Sequence, residues 1–399
     1  MSEQTAKEPV LTLPLILLAI SHAVTDLSQG ALPVLLPFLK NAFDLTYAQV
    51  GMIVLAQNIT SSVIQPAFGY VADRLSLPWL IPAGVLISGI GIAATGLVSS
   101  YASLLAIVVV TGLGVAAFHP QGSKSAHFVS ASSRRGQSMA VFSVGGNLGI
   151  ALGTICMGLL LTLPGTMANT PWFLLPAGIT AALLWLNLPR VSPMAQTAAA
   201  GRKSRTAAAL PVFLITVLLA FILVRTTIQV GLTTFIPLYY VNYLGGSAIY
   251  AGYLLSAFLV AGVFGTFVGG TLSDRFGRKT LIVGSMLVTW PLLALFQFTS
   301  GFTTVVLVAT TGFALIASFS PLLVLAQEIM PGYEAMAAGL TIGFSIGLGG
   351  IGVTVLGYVA DHFGVPSVFT VISFLPAATI ALAALLPGGW FKRDNPSAS

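Results

Sequence analysis

Charge is what this chain lacks. Only 7% of its 399 residues are Asp, Glu, Lys or Arg, against about 25% in a soluble domain. So few charges cannot coat a water-facing surface, while 56% of the residues are hydrophobic. A soluble globular protein is excluded, and lipid is left as the covering. Cysteine is nearly absent as well: the single thiol, Cys156, sits inside an apolar run, so no internal disulfide is possible. The opening residues MSEQTAKEPV lack the basic start and small-residue cleavage site of a signal peptide and read as a short tail before a retained helix. Also missing are a phosphate-binding glycine loop with lysine, a nucleophile elbow and any metal-ligand spacing. These absences argue against an ATP-driven pump, an enzyme, a metal site and a cofactor. The pI near 9.5 does not point to nucleic acid, because the basic residues lie in short loops between apolar runs.

What the chain has is apolar length. A hydrocarbon core about 30 Å thick takes roughly 20 apolar residues per helix. Twelve apolar segments can be drawn, near 12–40, 46–72, 77–98, 102–128, 136–163, 171–188, 209–241, 248–273, 280–298, 302–330, 334–360 and 366–387. They are unbroken and far longer than the roughly ten-residue strands of a membrane barrel. The expected fold is therefore an all-α membrane protein with twelve transmembrane helices in two six-helix, pseudo-symmetric lobes. Residues 1–188 form the first lobe, 189–208 a linker and 209–399 the second lobe with a short tail. The linker carries Arg190, Arg202, Lys203 and Arg205 and no acidic residue. With the N-terminus in the cytoplasm, fourteen of the sixteen basic residues fall on the cytoplasmic side, leaving Lys40 outside and Arg225 within the membrane. Both termini are then cytoplasmic.

The halves repeat. Gly69 to Arg74 (GYVADR) matches Gly270 to Arg275 (GTLSDR), and Phe142-Ser-Val-Gly145 matches Phe344-Ser-Ile-Gly347. Pro37 near the end of the first helix matches Pro237 near the end of the seventh. Three matches at nearly one displacement, each at the same place in its half, describe parallel repeats joined by a linker.

These features resemble the major facilitator superfamily along nearly the whole length. The loop Gly269-Gly-Thr-Leu-Ser-Asp274-Arg275-Phe-Gly277-Arg278-Lys279 is similar to that superfamily's signature between its second and third helices, echoed here between the eighth and ninth. Within the superfamily the chain resembles the fosmidomycin-resistance branch. The residues that carry this are Ser21-His22 with Asp26, Phe118-His119-Pro120, Gly145-Gly146-Asn147-Leu148-Gly149, Arg225, Thr234-Phe-Ile-Pro-Leu-Tyr239 and Leu325-Ala-Gln-Glu328. The resemblance implies a proton-driven drug exporter of the bacterial inner membrane. The chain departs from it with Gln121 where the branch has a carboxylate, Gly153-Thr154 where drug antiporters have Gly-Pro, and Val108 where an antiporter arginine is expected.

Polar residues inside the apolar segments are the site candidates. His22, Asp26, Gln29 and Pro33 share one stripe of the first helix. An ionised Asp at a helix centre costs about 2.5–3.5 kcal/mol to insert, so Asp26 should face the interior or a wet cavity. Asp26 with His22 is the expected proton-coupling pair, although His22 alone reads equally well as a hydrogen-bonded structural histidine. Arg225 and Gln229 are the matching feature of the seventh helix, at the depth of Asp26. Together with Gln29, Asn58 and His119 they form the expected substrate-binding set, supported by Gln57 and Gln65. A buried Asp26–Arg225 ion pair that merely holds the lobes together is the structural alternative. Asp73, Arg74, Asp274, Arg275 and Arg278 form the expected cytoplasmic gate, with Glu328 near it; a solvated basic loop is the plainer reading. Gly145, Gly149 and Gly153, and likewise Gly339, Gly343 and Gly347, clear one helix face each for tight packing or hinging. Tyr239, Tyr240 and Tyr243 read as interfacial anchors.

The expected function is secondary active transport by alternating access, as proton-coupled efflux of small antibiotic-like or anionic compounds. Uptake of an anionic metabolite is the alternative, and a transporter-like receptor the alternative of another class. The expected partners are a small-molecule substrate, protons and the bilayer, with the protein a monomer.

Overall fold

The computed structural model of the protein describes residues 11–65, 67–68, 77–130, 135–192, 211–330, 337, 340–341 and 345–387. In chain order the main helices are α1 (Leu13–Ala42), α2 (Tyr47–Asn58), α3 (Leu80–Ala94), α4 (Tyr101–Phe128), α5 (Arg135–Leu160), α6 (Leu174–Leu186), α7 (Val212–Pro237), α8 (Ala248–Phe276), α9 (Arg278–Leu295), α10 (Gly301–Ala317, resuming as Phe319–Ile329 after a break at Ser318), α11 (Ser345–Phe363) and α12 (Val365–Leu385). Among the described residues, ten helices are long and apolar enough to cross a bilayer, and α3 is a shorter apolar helix. α2 passes into a π-helical turn, Ile59–Val63, and α7 into another, Leu238–Tyr243. Of the expected linker, residues 189–191 lie in a short helical turn, Leu188–Val191, and 193–208 lie outside the described residues.

Local chemistry sets the ends. Ser100 caps α4 and Thr46 caps α2, each in a reciprocal capping box with the residue three positions on, Ser103 and Gln49. Between α8 and α9 the chain turns at Gly277, whose φ of 94° is open to glycine at little cost.

The packing repeats at a displacement of six helices. α1 lies along α5 and α7 along α11; α3 packs on α4 and α6, and α9 on α10 and α12. The two sets meet through α2 against α11 and α5 against α8. A buried core containing Leu35, Val54, Phe235, Phe258 and Val353 runs across that junction. Tyr239 and Tyr240 are buried in a ring cluster with Phe296 and Phe369 instead of facing lipid, which corrects the interfacial-anchor reading for both; Tyr243 is exposed. The π-turn explains the correction, because the extra residue per turn rotates this segment away from the straight continuation of α7.

Candidate functional site

Asp26 is buried in α1, and the fold brings two histidines to its two carboxylate oxygens. His22, one turn back on α1, places Nε2 3.2 Å from Oδ2. His119, on α4, places Nε2 2.9 Å from Oδ1. The other ring nitrogen of His22 decides the protonation pattern: Nδ1 lies 2.8 Å from the carbonyl oxygen of Phe142 on α5. A carbonyl only accepts, so Nδ1 carries a hydrogen. In a neutral imidazole Nε2 would then be a bare lone pair facing a carboxylate oxygen, and the two would repel. The contact is attractive only with one further proton, as imidazolium–carboxylate or imidazole–carboxylic acid. Phe142 stacks on the His22 ring at 4.3 Å, and Phe118 lies 5.9 Å from it. Gly146 of α5 covers the pair; a Cβ there would press on His22 Nε2 and sit 2.7 Å from Asp26 Oδ2.

The fold thus collects donor atoms of His22, Asp26 and His119 within 4.8 Å of one another, although the sequence shows no metal-ligand spacing. The 2.9 and 3.2 Å separations are hydrogen-bond distances, and the three groups satisfy one another directly.

Arg225 is 2% exposed and is not paired with Asp26, contrary to the ion-pair alternative. Its Nε donates to Ser318 Oγ at 3.1 Å, NH1 to Gln229 Oε1 at 2.8 Å and NH2 to the Leu315 carbonyl at 3.4 Å. The Phe319 ring centroid lies 5.7 Å from the guanidinium carbon. All of these partners are neutral. They come from α7 itself and from the break in α10, where Ser318 Oγ also donates to the Leu315 carbonyl at 2.7 Å. Equal depth in two helices does not put two side chains in contact, and here each charge is satisfied within its own half.

Between the halves lies a cavity of about 180 Å³ whose wall includes Gln29, Gln57, Asn58, Thr154, Gln229 and Thr233. Of the expected substrate set, Gln29, Asn58 and Gln229 line it; Arg225 stands behind Gln229, and His119 belongs to the Asp26 cluster.

The glycines of α5 let two backbones touch. A Cβ at Gly145, Gly149 or Gly153 would meet the carbonyl oxygen of Ala19, Ala23 or Leu27 on α1. Gly347 faces Val63 of the π-turn after α2; Gly339 and Gly343 lie outside the described residues. Of the expected gate, Asp73 and Arg74 also lie outside them, and the Asp274 side chain is not described. Arg275 stacks on its neighbour Phe276 at 5.3 Å, while Arg278 Nε approaches Glu328 Oε1 at 3.3 Å. Lys279 reaches the C-terminal end of α12, donating to the Ala384 and Leu386 carbonyls at 2.8 and 2.9 Å.

Sequence reasoning missed the contacts at the opposite end of the bundle. The Asp361 carboxylate, at the end of α11, accepts from the Tyr47 and Ala48 N–H groups at 2.6 and 2.9 Å, and so caps α2 of the other half. Asn242 donates to Asn41 Oδ1 at 2.5 Å. Deeper, beside the cavity, Thr154 of α5 and Ser256 of α8 share a hydroxyl contact at 2.5 Å. An acidic residue at the end of α11 is the only sequence signal for the first.

With this geometry in place, comparison with known proteins identifies the fold and its family. The sequence model of the Major Facilitator Superfamily matches residues 18–342 and 243–399. The chain belongs to the major facilitator superfamily. As a superfamily member it is a multi-pass membrane transporter, and it resembles the fosmidomycin-resistance branch. It is 33% identical to the fosmidomycin resistance protein of Escherichia coli K12 over 90% of this chain and 89% of that one. It is 32% identical to the uncharacterized MFS-type transporter YfnC of Bacillus subtilis, over 99% and 98%. In fold it is similar to a bacterial homolog of the human lysosomal transporter Spinster, in an inward-facing and occupied conformation, with a TM-score of 0.75 at 18% identity over 96% of this chain and 95% of that one. The nucleoside transporter NupG superposes with a TM-score of 0.71 at 16% identity over 94% and 98%.

Proposed function

We propose that this superfamily member is a proton-coupled secondary transporter that exports small antibiotic-like or anionic compounds across the bacterial inner membrane. In this reading α1–α6 and α7–α12 are two six-helix lobes, the termini and the 189–208 linker are cytoplasmic, and the molecule acts as a monomer. The observation that carries proton coupling is the His22–Asp26 contact. With Nδ1 committed to the Phe142 carbonyl, the pair coheres with a proton and repels without one. Loss of that proton drives α1, α4 and α5 side chains apart beneath Gly146, which gives protonation a structural consequence. The direction of export draws on the name of the Escherichia coli relative. The end closed by Asp361 is then the outer end, so the arrangement is closed outside, as an alternating-access carrier is while it loads or releases inside.

The test is transport in proteoliposomes with a set pH gradient. Asp26→Asn should lose pH-driven accumulation of substrate while keeping passive exchange. Full proton-driven accumulation by this variant would remove Asp26 from the coupling role.

A further inference from the structure

The groups around Asp26 make a ligand set as well as a hydrogen-bonded one. One ligand atom from each of His22, Asp26 and His119 lies within 4.8 Å of the other two. A tetrahedral ion with bonds of about 2.0–2.1 Å sets its ligand atoms about 3.3 Å apart. The contacts of His22 and His119 with the carboxylate, at 3.2 and 2.9 Å, are already near that span. The Phe142 carbonyl holds a hydrogen of His22 on Nδ1, so a neutral His22 turns a bare Nε2 lone pair toward Asp26. Beside a carboxylate alone that lone pair is a clash; to a cation it is a ligand. A backbone carbonyl on the far nitrogen is a usual outer partner of a metal-binding imidazole. Gly146 leaves room over the pair: a Cβ there would crowd His22 Nε2 and lie 2.7 Å from Asp26 Oδ2. Phe142 and Phe118 wall the His22 ring, and the His119 side chain, 22% exposed, leaves a way in.

We infer that His22, Asp26 and His119 bind a divalent transition ion, Zn²⁺, with water as a further ligand. Two imidazoles and a carboxylate suit such an ion, whereas Mg²⁺ and Ca²⁺ take oxygen ligands. His22 binds through the lone pair that Phe142 keeps facing Asp26. His119 reaches in from α4 and closes a set that no spacing along the chain announces. Bound there, the ion ties α1 to α4 and stands on the coupling acid, so it arrests transport. The site is independent of the transport reading; only the arrest rests on it.

The experiment is Zn²⁺ binding to the purified, untagged full chain in a Cys156→Ser background, read by thermal stabilisation with Mg²⁺ as the comparison. Zn²⁺ should raise the melting temperature and Mg²⁺ should not. His119→Gln keeps an amide donor for Asp26 but has no imidazole. It should leave the metal-free melting temperature near that of the parent and weaken Zn²⁺ binding by more than the about 10–100-fold that loss of an outer partner costs. Cu²⁺ in place of Zn²⁺ then counts the ligands directly. Electron spin echo modulation should show two coordinated imidazoles in the parent and one in His22→Gln or His119→Gln, whatever those variants do to stability. His362→Ala, at an exposed position of α11, should change nothing. No stabilisation by Zn²⁺, equal stabilisation by Mg²⁺, or an imidazole count that ignores His22 and His119 would each overturn the site. Unchanged transport with Zn²⁺ bound would overturn the arrest. Neither Zn²⁺ binding nor the imidazole count depends on coupling, which stands or falls on Asp26→Asn, so the two readings fail separately.

Discussion

At the scale of single residues, the glycines of α5 separate two effects that sequence spacing merges. Gly149 faces the backbone carbonyl of Ala23, which cannot move without moving α1. Gly149→Ala should therefore destabilise the fold by about 1–3 kcal/mol, the usual cost of overpacking, seen as a lower melting temperature. Gly146 faces side-chain atoms, Nε2 of His22 and Oδ2 of Asp26, which can yield by changing rotamer. Gly146→Ala should keep a near-wild-type melting temperature and lose proton-driven transport, because the added methyl pries the pair apart. A large drop in melting temperature with coupling intact would reverse the assignment. His22 with Asp26 was legible from a four-residue spacing within one helix. The second partner of Asp26 was not, because His119 reaches it from α4 through a packing angle that no local pattern encodes. Arg225 was legible as a buried cation, but its partners depend on the break at Ser318; Pro321 marks an interruption there without saying which groups it turns toward Arg225.

At the scale of elements, the N-terminus of α2 is the best-satisfied helix start in the described structure. Its Gln49 N–H is taken by Thr46 of its own capping box at 3.1 Å, and the two N–H groups before it by Asp361 of α11. Hydrogen bonds to a charged acceptor contribute about 1.5–3 kcal/mol, and the helix dipole adds to them. Asp361→Asn should weaken this contact between the halves without unfolding either and shift the population toward the state open at this end. Spin labels on cysteines placed at Ala42 and Leu244 in a Cys156→Ser background report it: the distance distribution should gain a longer component. An unchanged distribution would mean that the contact follows closure and does not hold it. The helices themselves were legible because twenty apolar residues in lipid have little choice but to satisfy their backbone internally. The π-turns after α2 and α7 were not, since composition does not distinguish hydrogen bonds spaced five residues apart from those spaced four apart.

At the scale of the whole molecule, scarcity of charge gave the membrane, and the positions of the few charges support the proposed orientation. In a Cys156→Ser background, a cysteine at Ser204 should react with membrane-impermeant maleimide only from the cytoplasmic side, and one at Thr162, in the exposed turn after α5, only from outside. The reverse pattern would invert the proposed topology. The six-helix displacement in packing, α1 with α5 as α7 with α11, is the physical counterpart of the repeated GYVADR and GTLSDR stretches. The helix pairs that join the halves follow the same displacement, α2 with α11 as α8 with α5, so the repeat extends across the junction, while individual side-chain contacts such as that of Asp361 with α2 left no mark in the repeated stretches.

The Asp361 contact also has a history within each molecule's synthesis. Its partners, Tyr47 and Ala48, are separated from it by 314 and 313 positions. A chain made at about 5–20 residues per second needs roughly 15 to 60 seconds to cover that interval. Throughout it the first turn of α2 has no carboxylate to close on, and its two free N–H groups are left to water. The nascent carrier thus passes through its longest unfinished stage with this end unlatched, and the ribosome, by delivering Asp361 among the last membrane residues, times when it can first shut.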